Sequence, residues 1–209
     1  MLLVMLSGQD ILLSSGYTSI IFDIGGVILE GNAARYCEQL SCNPDQKKEL
    51  IAITKSEEWR LWDAGYKTSK DLIDRFSHLP IAEFISLFLN PDRPFIDETI
   101  EIIRVLKHKG YRLYILSNFS HESYKVFIER KRDLFSLFDG ILCSSEVGKT
   151  KPETTIFHLF LGKFSIKASE TLFIDDSIEN IQAGELLGIK GICFVPGTLK
   201  KLLADEEIL

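Results

Sequence analysis

Short apolar runs alternate with amphipathic segments along most of the chain. The apolar runs predict strands buried on both faces of a sheet, namely TSIIFDI (18–24), YRLYILSN (111–118), GILCSS (140–145), TLFIDD (171–176) and GICFVP (191–196). Between the later runs the pattern predicts helices. In IDETIEIIRVLKHKG, for example, Ile96, Ile100 and Ile103 share one face, and Gly110 ends the segment. This alternation indicates an α/β fold in which helices flank a parallel sheet.

The alternation of strand and helix patterns stops between the first and second predicted strands. Residues 30–95 contain several helical patterns and no convincing strand, and this stretch is far longer than an ordinary crossover connection. We therefore expect a small helical unit over residues 31–94, inserted into an α/β core formed by residues 17–30 and 95–209. Residues 1–16 are expected to be an N-terminal extension of unclear role.

Composition narrows the class of protein. The chain has 209 residues, of which 45% are hydrophobic and 26% charged, as in ordinary globular proteins. The net charge of −6 makes nucleic acid an unexpected partner. The four cysteines show no metal-binding spacing, and the opening MLLVML is short for a membrane span and lacks the basic start of a signal peptide. We expect a cytoplasmic protein without a membrane partner, and the oligomeric state stays open.

Polar residues stand at the ends of the predicted strands, where parallel sheets bind ligands. The first strand ends in Asp23, the second in Ser117-Asn118 and the fourth in Asp175-Asp176. Each has an ordinary local explanation. Asp176 fits a capping box with Glu179, and Ser117 could bond to the backbone of a turn.

Taken together, these residues point to phosphoryl transfer. Asp23 lies between apolar segments, where an unpaired charge is expensive. Three carboxylates at one sheet edge repel one another unless a cation joins them, and oxygen ligands without His or Cys favour Mg²⁺. Lys151 could be a solvated charge, but at the start of a helix it could also bind an anion jointly with the helix N-terminus. Asp23 is then the expected nucleophile.

Four motifs in this order resemble those of the haloacid dehalogenase-like (HAD) superfamily: FDIGGV, LSNFS, GKTKPE and FIDDSIENI. The resemblance covers residues 18–197 and implies a Rossmann-like core with a small inserted α-helical cap. It further implies an aspartyl-phosphate on Asp23 and a catalytic Lys151. The implied phosphate-binding residues are Ser117, Asn118 and Lys151. The implied Mg²⁺ ligands are Asp23, the backbone carbonyl of Gly25, Asp175 and Asp176.

One position departs from the family pattern. Phosphatases of the superfamily usually carry a second aspartate two residues after the nucleophile, and here that position is Gly25. The missing acid–base group is worth about 10²–10⁴-fold in rate. Either another group, such as one from the cap, replaces it, or the leaving group departs with little protonation. Sugar-1-phosphate phosphatases resemble this chain in a DxGxV first motif and in the cap segment EEWRLWDAGYKTSKDLIDRF.

We therefore expect an Mg²⁺-dependent phosphatase acting on a small phosphorylated metabolite, with a sugar phosphate favoured. The alternative is a catalytically weak or inactive protein that binds a phosphate ligand. A dehalogenase needs no metal and would leave FIDDS unexplained, a response-regulator receiver has a different order of acidic residues, and a phosphomutase would also lack its acid–base partner.

The cap segment offers candidate substrate residues. Trp59 and Trp62 are three residues apart and share a helix face. They could pack the core of the cap, or they could shape a pocket over Asp23 together with Arg60 or Lys67.

Overall fold

The computed structural model describes residues 16–209, so all but the last residue of the expected extension over 1–16 lies outside the described part. The described strands form one parallel sheet in the order β3-β2-β1-β4-β5. The strands are β1 (Ser19–Phe22), β2 (Arg112–Ser117), β3 (Gly140–Cys143), β4 (Thr171–Asp175) and β5 (Lys190–Cys193).

Helices cover both faces of this sheet, which confirms the predicted fold class. They are α6 (Asp97–His108), α7 (His121–Arg130), α8 (Arg132–Phe135), α9 (Ser144–Val147), α10 (Thr154–Phe164), α11 (Ile178–Glu185) and α12 (Leu199–Asp205). The central strand β1 is buried on both faces, as its apolar run predicted. Ile20 and Phe22 pack on one side with residues of α6, α7 and α12, whereas Ile21 packs on the other side with residues of α10 and α11.

Five further helices lie between β1 and α6, in the stretch where the sequence shows helical patterns only. These cap helices, as we call them, are α1 (Ala33–Glu38), α2 (Pro44–Ile53), α3 (Glu57–Asp63), α4 (Ser69–Arg75) and α5 (Ile81–Leu89). Polar caps begin several of them. Asn43 forms a capping box with Gln46, and the Ser56 hydroxyl accepts the Trp59 N–H.

The cap helices have a hydrophobic cluster of their own, separate from the two clusters on the sheet. The segments that lead into and out of them run side by side, with backbone hydrogen bonds of 2.9 Å from Glu30 to Pro94 and from Ile96 to Ile28. The division into a core and an inserted unit remains a prediction. Within residues 16–209, none of the helices combines the length and the apolar composition that a membrane span requires.

Candidate active site

Three carboxylates meet at the carboxyl end of the sheet. Asp23 follows β1, Asp175 is the last residue of the neighbouring β4, and Asp176 comes next. Phe22 pairs with Ile174, so the residue after each of them lies at the same level. One carboxylate oxygen of each aspartate lies within 4.8 Å of those of the other two. The structure thus brings together the three acidic side chains that the sequence singled out.

Lys151 joins two of these carboxylates. Its ammonium nitrogen lies 2.9 Å from Asp23 Oδ1 and 2.5 Å from Asp175 Oδ2, and it donates a hydrogen bond of 2.8 Å to the carbonyl oxygen of Leu116. The residue is only 3% exposed, so the reading of Lys151 as a solvated charge is wrong. Removing it would leave two buried carboxylates without their common cation.

Lys151, which was expected at the start of a helix, lies just ahead of one. Helix α10 begins at Thr154 and has Glu153 as its N-cap. The backbone of Lys151 is instead held by the side chain of Asn118, which accepts from Lys151 N and donates to Lys151 O, both at 2.8 Å. Asn118 therefore positions the lysine, and an anion site shared by Lys151 and the helix N-terminus remains a prediction.

Ser117, the last residue of β2, is buried, and its hydroxyl acts to lower the pKa of Asp23. On the other side of β1, Asp175 accepts hydrogen bonds from Ser177 N at 2.9 Å and from the Asn180 side chain at 3.0 Å. Ser177, and not Asp176, is the N-cap of α11, because its hydroxyl accepts from Asn180 N. The capping-box reading of Asp176 is therefore wrong, and its carboxylate is left for the acidic cluster.

The charges in this cluster are not balanced. Burial raises the pKa of Asp23, and the charge of Asp175 adds to this, while Lys151 and Ser117 oppose it. Burial and the charges of Asp23 and Asp175 raise the pKa of Asp176 to about 7. Three ionised carboxylates and one ammonium leave two negative charges, which one divalent cation would balance. The oxygen donors fit Mg²⁺.

The two glycines after Asp23 differ in whether a side chain could replace them. Gly26 has a φ of +73°, and a Cβ there would lie 2.2 Å from Asp176 Oδ2, so only glycine lets the backbone approach this carboxylate. At Gly25 a Cβ would meet nothing within 4 Å. The backbone at the family's acid–base position therefore leaves room for the first atom of a side chain.

Trp59 and Trp62 pack in the cap cluster and also line the cavity that contains Asp23, while their contact with substrate remains a prediction. Their rings pack edge to face with centroids 4.9 Å apart, and Trp59 also contacts Phe84 and Phe88 in the cap cluster. Both tryptophans also line a cavity of about 160 Å³ together with Asp23. Arg60 and Lys67 are not among the residues that line this cavity. Arg60 lies instead at a neighbouring groove and 3.7 Å from Glu153.

The end of α3 is fastened to the core beside this cavity. The Ser144 hydroxyl donates a hydrogen bond of 2.5 Å to the carbonyl oxygen of Asp63, and the Trp62 indole donates one of 2.8 Å to Glu122. Gly65 follows with a φ of +80°, and a Cβ there would lie 3.1 Å from the Ser145 carbonyl oxygen. This close approach of the cap helices to the core fixes Asp63 at the cavity.

Asp63 is one of two charged cavity residues that the sequence analysis missed. It lines the cavity together with the sheet-derived residues Asp23 and Ser117. Burial, followed by the charge of Asp23, raises the pKa of Asp63 to about 7, although Lys151 and the Trp59 indole oppose this shift. Asp63 belongs to the cap segment that resembles the sugar-phosphatase signature, and the sequence does not show which of its side chains point inward.

Arg93 is the second missed residue. It lies in the connection between α5 and α6, lines the same cavity as Asp23 and Asp63, and is only 5% exposed. In the sequence it stands in NPDRP, which looks like a loop between helical segments. Its burial could not be inferred from that composition.

The fold and this site define a Rossmann-like α/β enzyme with a carboxylate metal site. The model of haloacid dehalogenase-like hydrolases matches residues 17–188, and the chain belongs to this family. The prediction of a HAD-like enzyme is thereby confirmed.

Individual relatives agree with this assignment. A sesquiterpene phosphatase, astK, from Aspergillus oryzae is 28% identical over 185 residues, which cover 84% of this chain and 89% of that protein. The structure of a HAD-like family hydrolase from Porphyromonas gingivalis superposes with a TM-score of 0.68 at 25% identity, covering 90% of this chain and 97% of the other. A HAD family enzyme from Bacteroides thetaiotaomicron, in complex with magnesium and inorganic phosphate, gives a TM-score of 0.64 at 19% identity and covers 87% and 96%.

Proposed function

We propose that the protein hydrolyses a small phosphate monoester with Mg²⁺ as cofactor, through an aspartyl-phosphate on Asp23, and that Asp63 acts as the general acid and base. The observation that carries the proposal is the cavity in which Asp23, beside the acidic cluster and Lys151, faces Asp63 from the cap helices. A phosphatase among the relatives and a magnesium–phosphate complex of a protein with this fold support it.

In the first step a carboxylate oxygen of Asp23 attacks phosphorus, and the bond from phosphorus to the ester oxygen breaks. Lys151 and the Ser117 hydroxyl hold the phosphoryl group and orient Asp23. Protonated Asp63 gives its proton to the departing oxygen. Mg²⁺, held by Asp23, Asp175, Asp176 and the carbonyl of Gly25, would offset negative charge on the transferred phosphoryl group.

The second step uses the same residues in reverse. Asp63, now ionised, takes a proton from a water molecule that attacks phosphorus, and the bond between phosphorus and Asp23 breaks. Inorganic phosphate leaves, and Asp63 is protonated again. A donor with a pKa of about 7 is suited to both roles near neutral pH, since both forms are populated.

Asp63 also bears on the alternative of an inactive binding protein. That alternative was based on Gly25, which leaves the usual acid–base position empty. A carboxyl supplied by the cap helices, that of Asp63 in the same cavity, would fill the same need. The expected sugar-phosphate substrate remains a prediction.

The test is phosphate release from a panel of esters, including sugar 1-phosphates, alkyl phosphates and p-nitrophenyl phosphate. Wild type should be active with Mg²⁺ and inactive with EDTA, and Asp23→Asn should be inactive throughout. Asp63→Asn should lose about 10²–10⁴-fold on alkyl phosphates. On p-nitrophenyl phosphate, whose leaving group needs little protonation, the initial burst of p-nitrophenol, which reports the first step alone, should slow less than tenfold. Activity that survives both EDTA and Asp23→Asn would reject the mechanism.

A further inference from the structure

Arg93 carries a positive charge into the cavity that the proposed chemistry does not use. The transferred phosphoryl group is already served by Lys151, Ser117 and the carboxylate metal site. Arg93 lies in the connection between the cap helices and α6, and it lines the same cavity as Trp59 and Phe88. The contacts of Arg93 itself indicate its role.

The surroundings of Arg93 leave its charge without a counterion. Nη1 donates a hydrogen bond of 3.1 Å to the Tyr36 hydroxyl, and the guanidinium carbon lies 4.5 Å from the centre of the Phe127 ring. In the part of the chain that the structure describes, no carboxylate lies within ion-pair distance of Arg93. Both Nε and Nη2 have almost no accessible surface and no hydrogen-bond partner there, so a ligand would reach them only after a small shift of the cavity wall. A buried, unpaired cation is costly, so a purely structural role would be better served by an apolar side chain.

The two unpartnered nitrogens lie on the same edge of the guanidinium. This edge presents two parallel N–H groups, which match the two oxygens of a carboxylate or of a phosphate. The stack on Phe127 and the bond to Tyr36 fix the plane of the group. An oxyanion that reached this edge would satisfy both N–H groups at once, with the guanidinium already held in place.

We propose that Arg93 binds a second anionic group of the substrate, so that the preferred ester carries a carboxylate or a second phosphate close to the scissile phosphate. The expected hydrolysis of such an ester rests on the proposed function, whereas its expected binding to Arg93 does not. Because Arg93 and Asp23 line the same small cavity, the two anions would be joined by a short connection. Phosphorylated hydroxy acids, phosphorylated sugar acids and bisphosphates have this chemistry.

The kinetic test compares matched esters. 2-Phosphoglycolate carries a carboxylate that ethyl phosphate lacks, and ethylene glycol bisphosphate carries a second phosphate instead. Wild type should have a kcat/KM about 10- to 100-fold higher for at least one of the two-anion esters than for ethyl phosphate. The ester that shows the gain identifies the second anion as carboxylate or phosphate.

Substitution of Arg93 should remove that preference selectively. Arg93→Met should lower kcat/KM for the preferred ester about 10- to 100-fold and change it less than threefold for ethyl phosphate. Arg93→Lys keeps the charge without the two parallel N–H groups, should fold if Arg93→Met does not, and should fall between the two. Arg130→Met is the matched control, because Arg130 is exposed and pairs with Asp92, and it should change neither ester.

Binding supplies a readout that does not depend on turnover. The two tryptophans of the sequence, Trp59 and Trp62, both line the cavity, so their fluorescence reports its occupancy. In Asp23→Asn with Mg²⁺, the two-anion esters should change this fluorescence at concentrations at least tenfold lower than ethyl phosphate. Arg93→Met or Arg93→Lys in the same background should abolish the difference.

The outcomes separate the two proposals. If no ester releases phosphate but the two-anion compounds bind through Arg93, the proposed function fails and this inference stands. If wild type is active but shows no preference for a second anion, or if the Arg93 variants lower both kinds of ester alike, the inference is overturned. Absence of any fluorescence response to the two-anion compounds also overturns it.

Discussion

Replacing Lys151 by Met should be among the most destabilising single changes at this site. The ammonium contacts Asp23 at 2.9 Å, Asp175 at 2.5 Å and the Leu116 carbonyl at 2.8 Å, and its side chain is 1% exposed. Breaking a buried ion pair costs about 3–5 kcal/mol, because the remaining charge stays buried. Asp175 keeps its hydrogen bonds from Ser177 and Asn180, so we expect the cost to fall within that range.

The cost should depend on pH in a defined direction. In the wild type, Asp175 and Asp23 raise the pKa of Lys151 despite its burial, so the ammonium stays charged at neutral pH. Without it, the pKa of Asp23, already raised by burial, rises further. A group with a raised folded-state pKa loses stability as pH increases, so the variant's deficit should be larger at pH 8 than at pH 5.

Urea unfolding followed by circular dichroism measures this deficit. Lys149→Met is the matched control, since Lys149 is partly exposed and lies 3.4 Å from Glu153, and it should change the free energy of unfolding by less than about 0.5 kcal/mol. Adding Mg²⁺ should recover part of the Lys151→Met deficit, because a bound cation stabilises the fold that holds it. Equal midpoints for the two variants, or a larger deficit at pH 5, would refute the reasoning.

Three further predictions concern the neighbouring positions. Gly25→Asp should be tolerated, because a Cβ there meets nothing within 4 Å. In the Asp63→Asn background it should raise phosphate release from alkyl phosphates at least tenfold, and no recovery would contradict the acid–base role of Asp63. Gly26→Ala should weaken Mg²⁺ binding at least tenfold in calorimetric titration, because the added Cβ would displace the Asp176 carboxylate. Gly25→Ala should leave the affinity unchanged, and similar affinities for the two variants would contradict this reasoning. Asp63→Asn should gain about 1–2 kcal/mol of unfolding free energy over wild type between pH 5 and pH 8, after allowance for partial exposure. The folded wild type holds this proton to about pH 7 and the unfolded chain to about 3.8, so urea titrations without Mg²⁺ that show no gain contradict the raised pKa.

The fold could be predicted from the sequence because its signals are local. The apolar run of β1 is buried on both faces, and the segment 30–95 is helical where no strand pattern was seen. The acidic cluster could also be predicted, since parallel strands place their carboxyl ends at one edge of the sheet. Asp176 was ambiguous because a capping box and a metal ligand need the same residue type, and Ser177 takes the N-cap position in the structure.

Asp63 and Arg93 could not be predicted because their positions depend on how the cap helices rest on the core. Asp63 is held by Ser144, which is 81 residues away along the chain, and Arg93 stacks on Phe127 of α7. Neither contact leaves a periodic pattern in the sequence. The burial of Lys151 could not be predicted for the same reason, because its partners lie at the ends of three different strands.

Peptide mapping of enzyme quenched in acid during turnover tests the central claim most directly. With Mg²⁺ and the best ester, mass spectrometry should locate a phosphoryl group on Asp23. The phosphorylated fraction should increase in Asp63→Asn assayed with p-nitrophenyl phosphate, because water attack then lacks its base. A phosphoryl group on another residue, or an active enzyme that never becomes phosphorylated in either form, would contradict the account.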